Sequence, residues 1–165
     1  MNTEPPIPCT YALLPALPSL ITEVTTVLLG AHSLSANGSV YSRAGTAMVA
    51  MLAKGHSVPV MVCCETYKFS EGVMLDGFGK NELGKISLLL SVHTFKLNLY
   101  WIAPARVSKS TKNSQALSPS LNLEILNPLY DLTPPTCITA VVTEVGLIPP
   151  SSISSIPLAL GKTTL

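Results

Sequence analysis

Charged side chains are scarce in this sequence. Asp, Glu, Lys and Arg make up 12% of its 165 residues, whereas soluble domains carry roughly a quarter. The formal net charge is +1, and the few cations form no basic stripe. Because nucleic acids and anionic membranes are bound mainly through clustered Lys and Arg, we expect neither as a direct partner.

Long uninterrupted apolar runs are also missing, although apolar residues make up 47% of the chain. The most apolar stretch, residues 86–103, contains His93, Lys96 and Asn98, which are costly in the middle of a bilayer. Residues 1–11 do not combine a basic segment with an apolar one, so no secretory signal is predicted. The pattern indicates a cytosolic protein. Two interpretations explain the high apolar content: apolar surface that partners cover, or a large core with few surface loops. The pattern favours the first.

The sequence has only four cysteines, which are Cys9, Cys63, Cys64 and Cys137. They form no C-x-x-C motif and no cluster with histidine, so no metal site is predicted. The adjacent Cys63 and Cys64 are expected on opposite faces of a strand. We interpret the cysteines as buried thiols in a reducing compartment.

Residues 24–69 carry the clearest structural pattern. An apolar, β-branched run at 25–30 is followed by a polar crossing at 31–42, a helical period and a second apolar run at 58–64. This order predicts a βαβ unit with parallel strands. The expected fold is therefore α/β, a Rossmann-like parallel sheet with flanking helices, in which ligands bind near the polar crossing.

The helix of this unit is expected to have Ser39 or Ser42 as its N-cap and to stop at Gly55. Its sheet-facing positions are predicted from the 3.6-residue spacing of apolar side chains, namely Ala44, Ala47, Met48, Met51 and Leu52.

Weaker patterns flank this unit. We predict a strand at 7–12, a helix at 18–24 and an edge strand at 153–160. Thr133 before two prolines predicts the start of another helix, whose apolar face is Ile138, Val141, Val142 and Val145.

Catalytic motifs known from such folds are not supported. The first strand ends without a G-x-G-x-x-G fingerprint, and residues 38–46 resemble a P-loop but lack the lysine before Thr46. His32, His56 and Glu65 are candidate acid/base groups, but a lone histidine after a strand is more often structural.

Six segments carry a resemblance to a known family. In chain order they are CTYALLPAL at 9–17, LLGAHSLSANGSVYSRAGTA at 28–47, VPVMVCCETYKF at 58–69, NEL at 81–83, NPLYDLTPP at 127–135 and TEVGLIPPSSI at 143–153. They resemble the C-terminal domain of the regulatory subunits of eukaryotic translation initiation factor 2B, most of all the delta type.

This resemblance implies a non-catalytic regulatory subunit of the guanine nucleotide exchange complex that acts in translation initiation. The implied partners are the other factor 2B subunits (alpha, beta, gamma and epsilon) and initiation factor 2. The role implied for the chain is to scaffold subunits and to sense factor 2, with exchange itself residing in the epsilon subunit.

The same superfamily includes sugar-phosphate isomerases such as methylthioribose-1-phosphate isomerase. Their crossing reads A-N-G-D and then N-K-I-G-T, in which the Asp is a general acid/base and the Asn-Lys pair holds the sugar phosphate. Here Ser39 stands at the Asp position, and Ser42 with Arg43 stands at the Asn-Lys pair. Serine does not titrate near neutral pH and cannot exchange protons as a carboxylate does. An aldose-ketose isomerase is therefore the alternative rather than the preferred interpretation.

The resemblance also implies a vestigial ligand pocket without catalytic residues, metal or cofactor. Its expected residues are Asn37, Ser39, Ser42, Arg43 and Asp131, of which Arg43 is suited to hold an anion. A protein that senses a small molecule through this pocket is a further alternative.

Two departures from the family affect the expected domain. The chain is expected to form a single, partial Rossmann-like domain over 1–165, because the helical domain and first strands of the family are not matched. Residues 86–119 are interpreted as an atypical insert and linker, since the segment from 86 to 115 matches nothing in the family.

Overall fold

The computed structural model describes residues 7–77, 81–84 and 126–156. Within these residues the strands are β1 (Val27–Gly30), β2 (Ser33–Ser35), β3 (Val40–Arg43), β4 (Val60–Cys63), β5 (Phe69–Ser70), β6 (Tyr130–Thr133), β7 (Ala140–Thr143) and β8 (Gly146–Ile148). The α-helices are α1 (Leu17–Leu20) and α2 (Thr46–Gly55). Short 3-10 helices lie at Leu14–Ala16, Ile21–Glu23, Thr66–Lys68, Pro135–Cys137 and Pro150–Ser155.

The first sheet has the strand order β1-β4-β7-β8. β1 pairs with β4 and β4 with β7 in parallel, and β8 closes the edge in the antiparallel direction. α2 lies between β1 and β4 in the chain, after the β2–β3 hairpin, and β1 and β4 are parallel neighbours, so the predicted βαβ unit is confirmed. So is the α/β fold class.

The second sheet has the order β5-β2-β3-β6. It contains a β-hairpin that the sequence analysis did not predict. Its hairpin, β2 with β3, occupies the segment that was expected to be a loop crossing. Leu34 and Val40 from this hairpin are fully buried and explain why it folds. The turn requires Gly38, whose φ is +80° and where a Cβ would lie 2.7 Å from the carbonyl oxygen of Pro150.

Helix α2 begins later than predicted. Its N-cap is Gly45, with φ of 105°, while Ser39 and Ser42 belong to the hairpin, so the prediction of a serine cap was wrong. The prediction of which α2 residues are buried was also only partly right. It consists of Ala47, Ala50 and Ala53, whereas Met48 and Met51 are each 50% exposed. Alanines allow close helix–sheet contact, and the larger thioethers turn outward.

The helix predicted after Thr133 was wrong. A 3-10 helix at Pro135–Cys137 is followed directly by strand β7, and Val141 is buried at the centre of the first sheet. Residues 138–143, which are β-branched except for Ala140, suit a strand that is apolar on both faces, although the same spacing also fits a helical face.

Predictions for the chain ends had mixed outcomes. Residues 7–12 form no strand, and helical turns from Leu14 to Glu23 cover most of the helix predicted at 18–24. Ile153 is buried in a 3-10 helix instead of an edge strand, and residues 157–160 lie outside the described part. The insert and linker assigned to 86–119 also lie outside it. No helix among the described residues is long and apolar enough to cross a membrane.

The first sheet has one buried face and one partly exposed face, on which Met61 is half-buried and Ala140 is buried. Its inner face is a row of buried or half-buried residues across the four strands: Leu29, Val62, Val141 and Ile148. The outer face carries the exposed side chains of Leu28, Cys63, Val142 and Leu147. These outward side chains are uncharged, which is unusual because strands in parallel sheets are normally covered on both faces.

A matched pair of leucines tests this distinction. Leu34→Ala should lower the free energy of unfolding by about 3 kcal/mol, because it leaves a cavity in the core. Leu28→Ala should change it by about 0.5 kcal/mol or less, because Leu28 is 69% exposed. Urea unfolding of the two variants measures both values. An equal loss for Leu28→Ala would contradict the exposure of the outer face.

Candidate functional site

A cleft of about 540 Å³ lies at one edge of the second sheet. Its polar lining comes from the hairpin turn, from β6 and from the segment that precedes the insert, and includes Asn37, Ser39, Asp76, Asn81, Tyr130 and Asp131. Three of the five predicted pocket residues therefore lie together: Asn37, Ser39 and Asp131. Ser42 and Arg43 do not line the cleft.

Asn37 and Ser39 belong to the turn between β2 and β3. The side-chain carbonyl of Asn37 accepts a hydrogen bond from the Ser39 backbone N–H at 3.2 Å, and its amide donates to the Met74 carbonyl at 3.0 Å. Ser39 is 3% exposed. The asparagine thus holds the turn in shape and places a buried hydroxyl at the cleft wall.

Ser42 has a structural partner. Its hydroxyl donates to the carbonyl of Gly30 at 2.9 Å, which ties β3 to the carboxyl end of β1. Arg43 is the next residue along the strand, so its side chain leaves from the other face. Its guanidinium carbon lies 5.3 Å from the ring centroid of Tyr130. We expected Ser42 and Arg43 to share one ligand pocket, as neighbours in a loop or at a helix start can. Both lie in β3, where adjacent side chains point to opposite faces of the sheet.

Asp131 makes the principal polar contact between the second sheet and α2. One carboxylate oxygen, Oδ2, accepts hydrogen bonds from the backbone N–H groups of Gly45 at 2.7 Å and Ala47 at 3.0 Å. These donors belong to the N-terminus of α2, where a negative charge is favourable. The other oxygen, Oδ1, is buried without a hydrogen-bond partner among the described residues. Burial raises the pKa of this carboxyl, and the two backbone hydrogen bonds oppose that shift.

Asn81 is a site residue that the sequence analysis did not single out. Its side-chain amide donates to the carbonyls of Gly77 and Tyr130, both at 2.7 Å, and its carbonyl accepts from the Tyr130 N–H at 3.2 Å. The contact fixes the first residue of β6 against the cleft. The sequence signal for Asn81 was its place in the NEL segment, but its partner in β6, Tyr130, lies 49 residues away.

The candidate acid/base groups do not converge. His32 packs against the ring of Tyr130, with centroids 5.1 Å apart, and His56 is exposed at the end of α2. Glu65 forms an ion pair with Lys68 at 2.8 Å, and this contact lowers the pKa of Glu65. Within the described ranges, no three His, Cys, Asp or Glu side chains are grouped closely enough to hold a metal ion.

All four cysteines are free thiols, and only two of them are buried. Cys64 is buried, and desolvation raises its pKa to about 11, so it is protonated at neutral pH. Cys63 is exposed on the outer face, which confirms that the adjacent pair points to opposite sides. Cys9 is exposed as well, so the prediction of buried thiols holds for Cys64 and Cys137 alone.

The strand order, the hairpin and the cleft define a Rossmann-like α/β domain. A family model described as the Initiation factor 2 subunit family matches residues 3–150. The chain belongs to this family.

Curated relatives include both translation factors and enzymes. The chain is 40% identical over 156 residues to translation initiation factor eIF2B subunit delta of Schizosaccharomyces pombe, covering 93% of this chain and 31% of the relative. It is 43% identical over 145 residues to the same subunit of Dictyostelium discoideum, covering 87% and 22%. It is 37% identical over 124 residues to ribose 1,5-bisphosphate isomerase of Pyrococcus furiosus, covering 75% and 32%. The chain thus spans about a third or less of each of these relatives.

Solved structures show the same fold. The translation initiation factor eIF-2B subunit delta from A. fulgidus matches with a TM-score of 0.63 and 24% identity, over 91% of this chain and 38% of that chain. The 5-methylthioribose 1-phosphate isomerase from Pyrococcus horikoshii also matches with a TM-score of 0.63, at 20% identity, over 89% and 36%. At these identities the likeness concerns the fold.

Two substitutions at Asp131 test its role at α2. Asp131→Ala should lower the free energy of unfolding by about 1–2 kcal/mol, because two N–H groups lose their acceptor. Asp131→Asn keeps an acceptor oxygen of the same shape and should retain most of the stability. Urea unfolding measures both. Equal losses for the two variants would show that hydrogen bonding to α2 is not what Asp131 provides.

The pH dependence supplies the control for this test. Because burial raises the pKa of Asp131 above its ordinary value of 3.8, the folded protein keeps this proton where the unfolded chain has released it. The stability contributed by this group is present at low pH and declines as pH rises from 3.8 through the raised pKa. Asparagine does not titrate. The stability of the wild type relative to Asp131→Asn should therefore fall across this window, and a constant difference would contradict the raised pKa.

Proposed function

We propose that this chain is a non-catalytic regulatory subunit, or part of one, of the translation initiation factor 2B exchange complex. Its similarity to two eIF2B delta subunits at 40% and 43% identity supports this assignment. In this role it acts in the cytosol by scaffolding the alpha, beta, gamma and epsilon subunits and by sensing initiation factor 2.

The proposal that the subunit is non-catalytic rests on the chemistry of Ser39. This residue occupies the position at which the resemblance to the isomerases implies a general acid/base, and its hydroxyl is neutral at working pH. Asp131 does not replace the missing acid, since its Oδ2 is engaged by two backbone N–H groups and its Oδ1 is buried. Asn37, Ser39 and Asp131 are better interpreted as the wall of an inherited, ligand-sized cleft.

The outer face of the first sheet supports a role in assembly. Leu28 and Leu147 are 69% and 64% exposed there, and the neighbouring exposed side chains are uncharged. Covering such surface with another protein is favourable, because apolar area removed from water contributes about 25 cal/mol per Å². The low charge content of the chain is in keeping with this mode of action.

The second candidate is a sugar-phosphate isomerase. It is favoured by the 37% identity to ribose 1,5-bisphosphate isomerase of Pyrococcus furiosus and by the cleft itself. The serine at position 39 and the placement of Arg43 outside the cleft count against it. Ser39 lies in the cleft but has no carboxylate, and Arg43 does not line the cleft, so neither does what the Asp and Lys of the enzyme motif do.

A turnover assay separates these functions. The purified chain should isomerise neither ribose 1,5-bisphosphate nor methylthioribose-1-phosphate, whereas the Pyrococcus furiosus enzyme, run in parallel with its own substrate, should do so. Product formation by the wild type that Ser39→Ala abolishes would contradict the proposed function. The Leu28→Ala variant serves as a matched control, since it lies outside the cleft.

A further inference from the structure

An arginine and three ring side chains form a compact cluster beside the cleft, and only Tyr130 of the four also lines the cleft. We call the cluster of His32, Tyr41, Arg43 and Tyr130 the aromatic platform. Its centre is a stacked pair, Tyr41 and Tyr130, with ring centroids 4.8 Å apart and planes at 19°. His32 lies 6.0 Å from Tyr41 and 5.1 Å from Tyr130.

The strand register builds the platform. β3 and β6 are antiparallel, and Arg43 is directly opposite Tyr130 while Tyr41 is opposite Leu132. Residues two apart on a strand share a face, so Tyr41 and Arg43 project on the same side and both meet the Tyr130 ring. The guanidinium of Arg43 lies over that ring at 5.3 Å.

The stacking holds Arg43 in place, and no acidic side chain of the described residues forms a salt bridge with it. Arg43 is exposed, and within residues 7–77, 81–84 and 126–156 the ion pair is that of Lys68 with Glu65. Burial, then Tyr130 and lastly Glu82 raise the pKa of Tyr41, and Glu82 forms no ion pair with Arg43. An arginine stacked on a ring keeps its N–H edge available for a carboxylate, and the stacking reduces the entropy lost when that contact forms.

From this geometry we infer that the aromatic platform binds an acidic segment of a partner protein, with a Glu or Asp carboxylate on the Arg43 guanidinium. Charge complementarity selects the partner, because the platform offers a fixed cation and an exposed imidazole. Tyrosine and arginine are also the residues that dominate the energetics of protein interfaces. A single fixed cation falls short of the several phosphate contacts that nucleic acids require. The inference extends the proposed function, in which the chain acts through protein partners.

A peptide titration tests the platform directly. The probe is a capped hexaglutamate peptide, added to the isotope-labelled full chain and followed by NMR at the Arg43 side-chain N–H and the Tyr130 ring. Arg43→Ala should weaken binding about tenfold, through loss of the charge-assisted hydrogen bonds. Arg43→Lys keeps the charge but not the planar fork, so it should weaken binding about threefold.

The control is Lys54→Ala, which removes an exposed cation at the end of α2 and should leave the affinity within about twofold. Circular dichroism checks that each variant folds. Unchanged binding by Arg43→Ala, or shifts that avoid Arg43 and Tyr130, would overturn the inference. So would tighter binding of hexathymidylate than of hexaglutamate, which would make the platform a nucleic-acid surface. These outcomes concern the platform alone, so they are distinguishable from a failure of subunit assembly or from isomerase turnover.

Discussion

The carboxylate of Asp131 at the N-terminus of α2 is the contact on which the arrangement of the two sheets depends. α2 packs on the first sheet through its alanines, and Asp131 lies in the second sheet, 84 residues further along the chain than Ala47. The hydrogen bonds to Gly45 and Ala47 satisfy donors that every helix leaves open. The arrangement brings a partly desolvated carboxyl group to the cleft, and its cost is visible in the raised pKa of Asp131 and in the unpartnered Oδ1.

The same contact decides what the cleft can do chemically. A carboxylate that is engaged by a helix N-terminus has a structural task, and a proton transfer there would weaken its hold on α2. Serine at position 39 adds no titratable group to the cleft, whose carboxylates are those of Asp76 and Asp131 among the described residues. Arg43, which the sequence assigned to this cleft, lies over Tyr130. The chain therefore shares its fold with isomerases, and in the proposed function it binds proteins through its surface.

The parts of the fold that the sequence predicted are those with strong local patterns. Residues 25–30 and 58–64 are mostly apolar runs, as expected for buried parallel strands, and they contain β1 and β4 of the first sheet. The hairpin of β2 and β3 was missed because its Ser, Asn and Gly content is typical of loops. Its two strands are stabilised by pairing with β5 and β6, which come from distant parts of the chain.

Ambiguous periodicity accounts for the other errors. The apolar residues of 138–145 fit a helical face as well as a strand. They form a strand because β7 pairs with β4 and β8 in the first sheet. Within the site, the resemblance identified Asn37, Ser39 and Asp131 as neighbours. It did not show that the side chains of Ser42 and Arg43 point in opposite directions, because this follows only when the segment is known to be a strand. Asn81 and the aromatic platform depend on contacts between strands and could not be read from local spacing.

The central proposal is that this chain works by assembling with other subunits. Native mass spectrometry of the chain co-expressed with the alpha, beta, gamma and epsilon subunits of factor 2B tests it most directly. We expect a complex of defined stoichiometry that contains this chain and that survives purification. A spectrum in which the chain appears only on its own, while the other subunits assemble without it, would contradict the proposal.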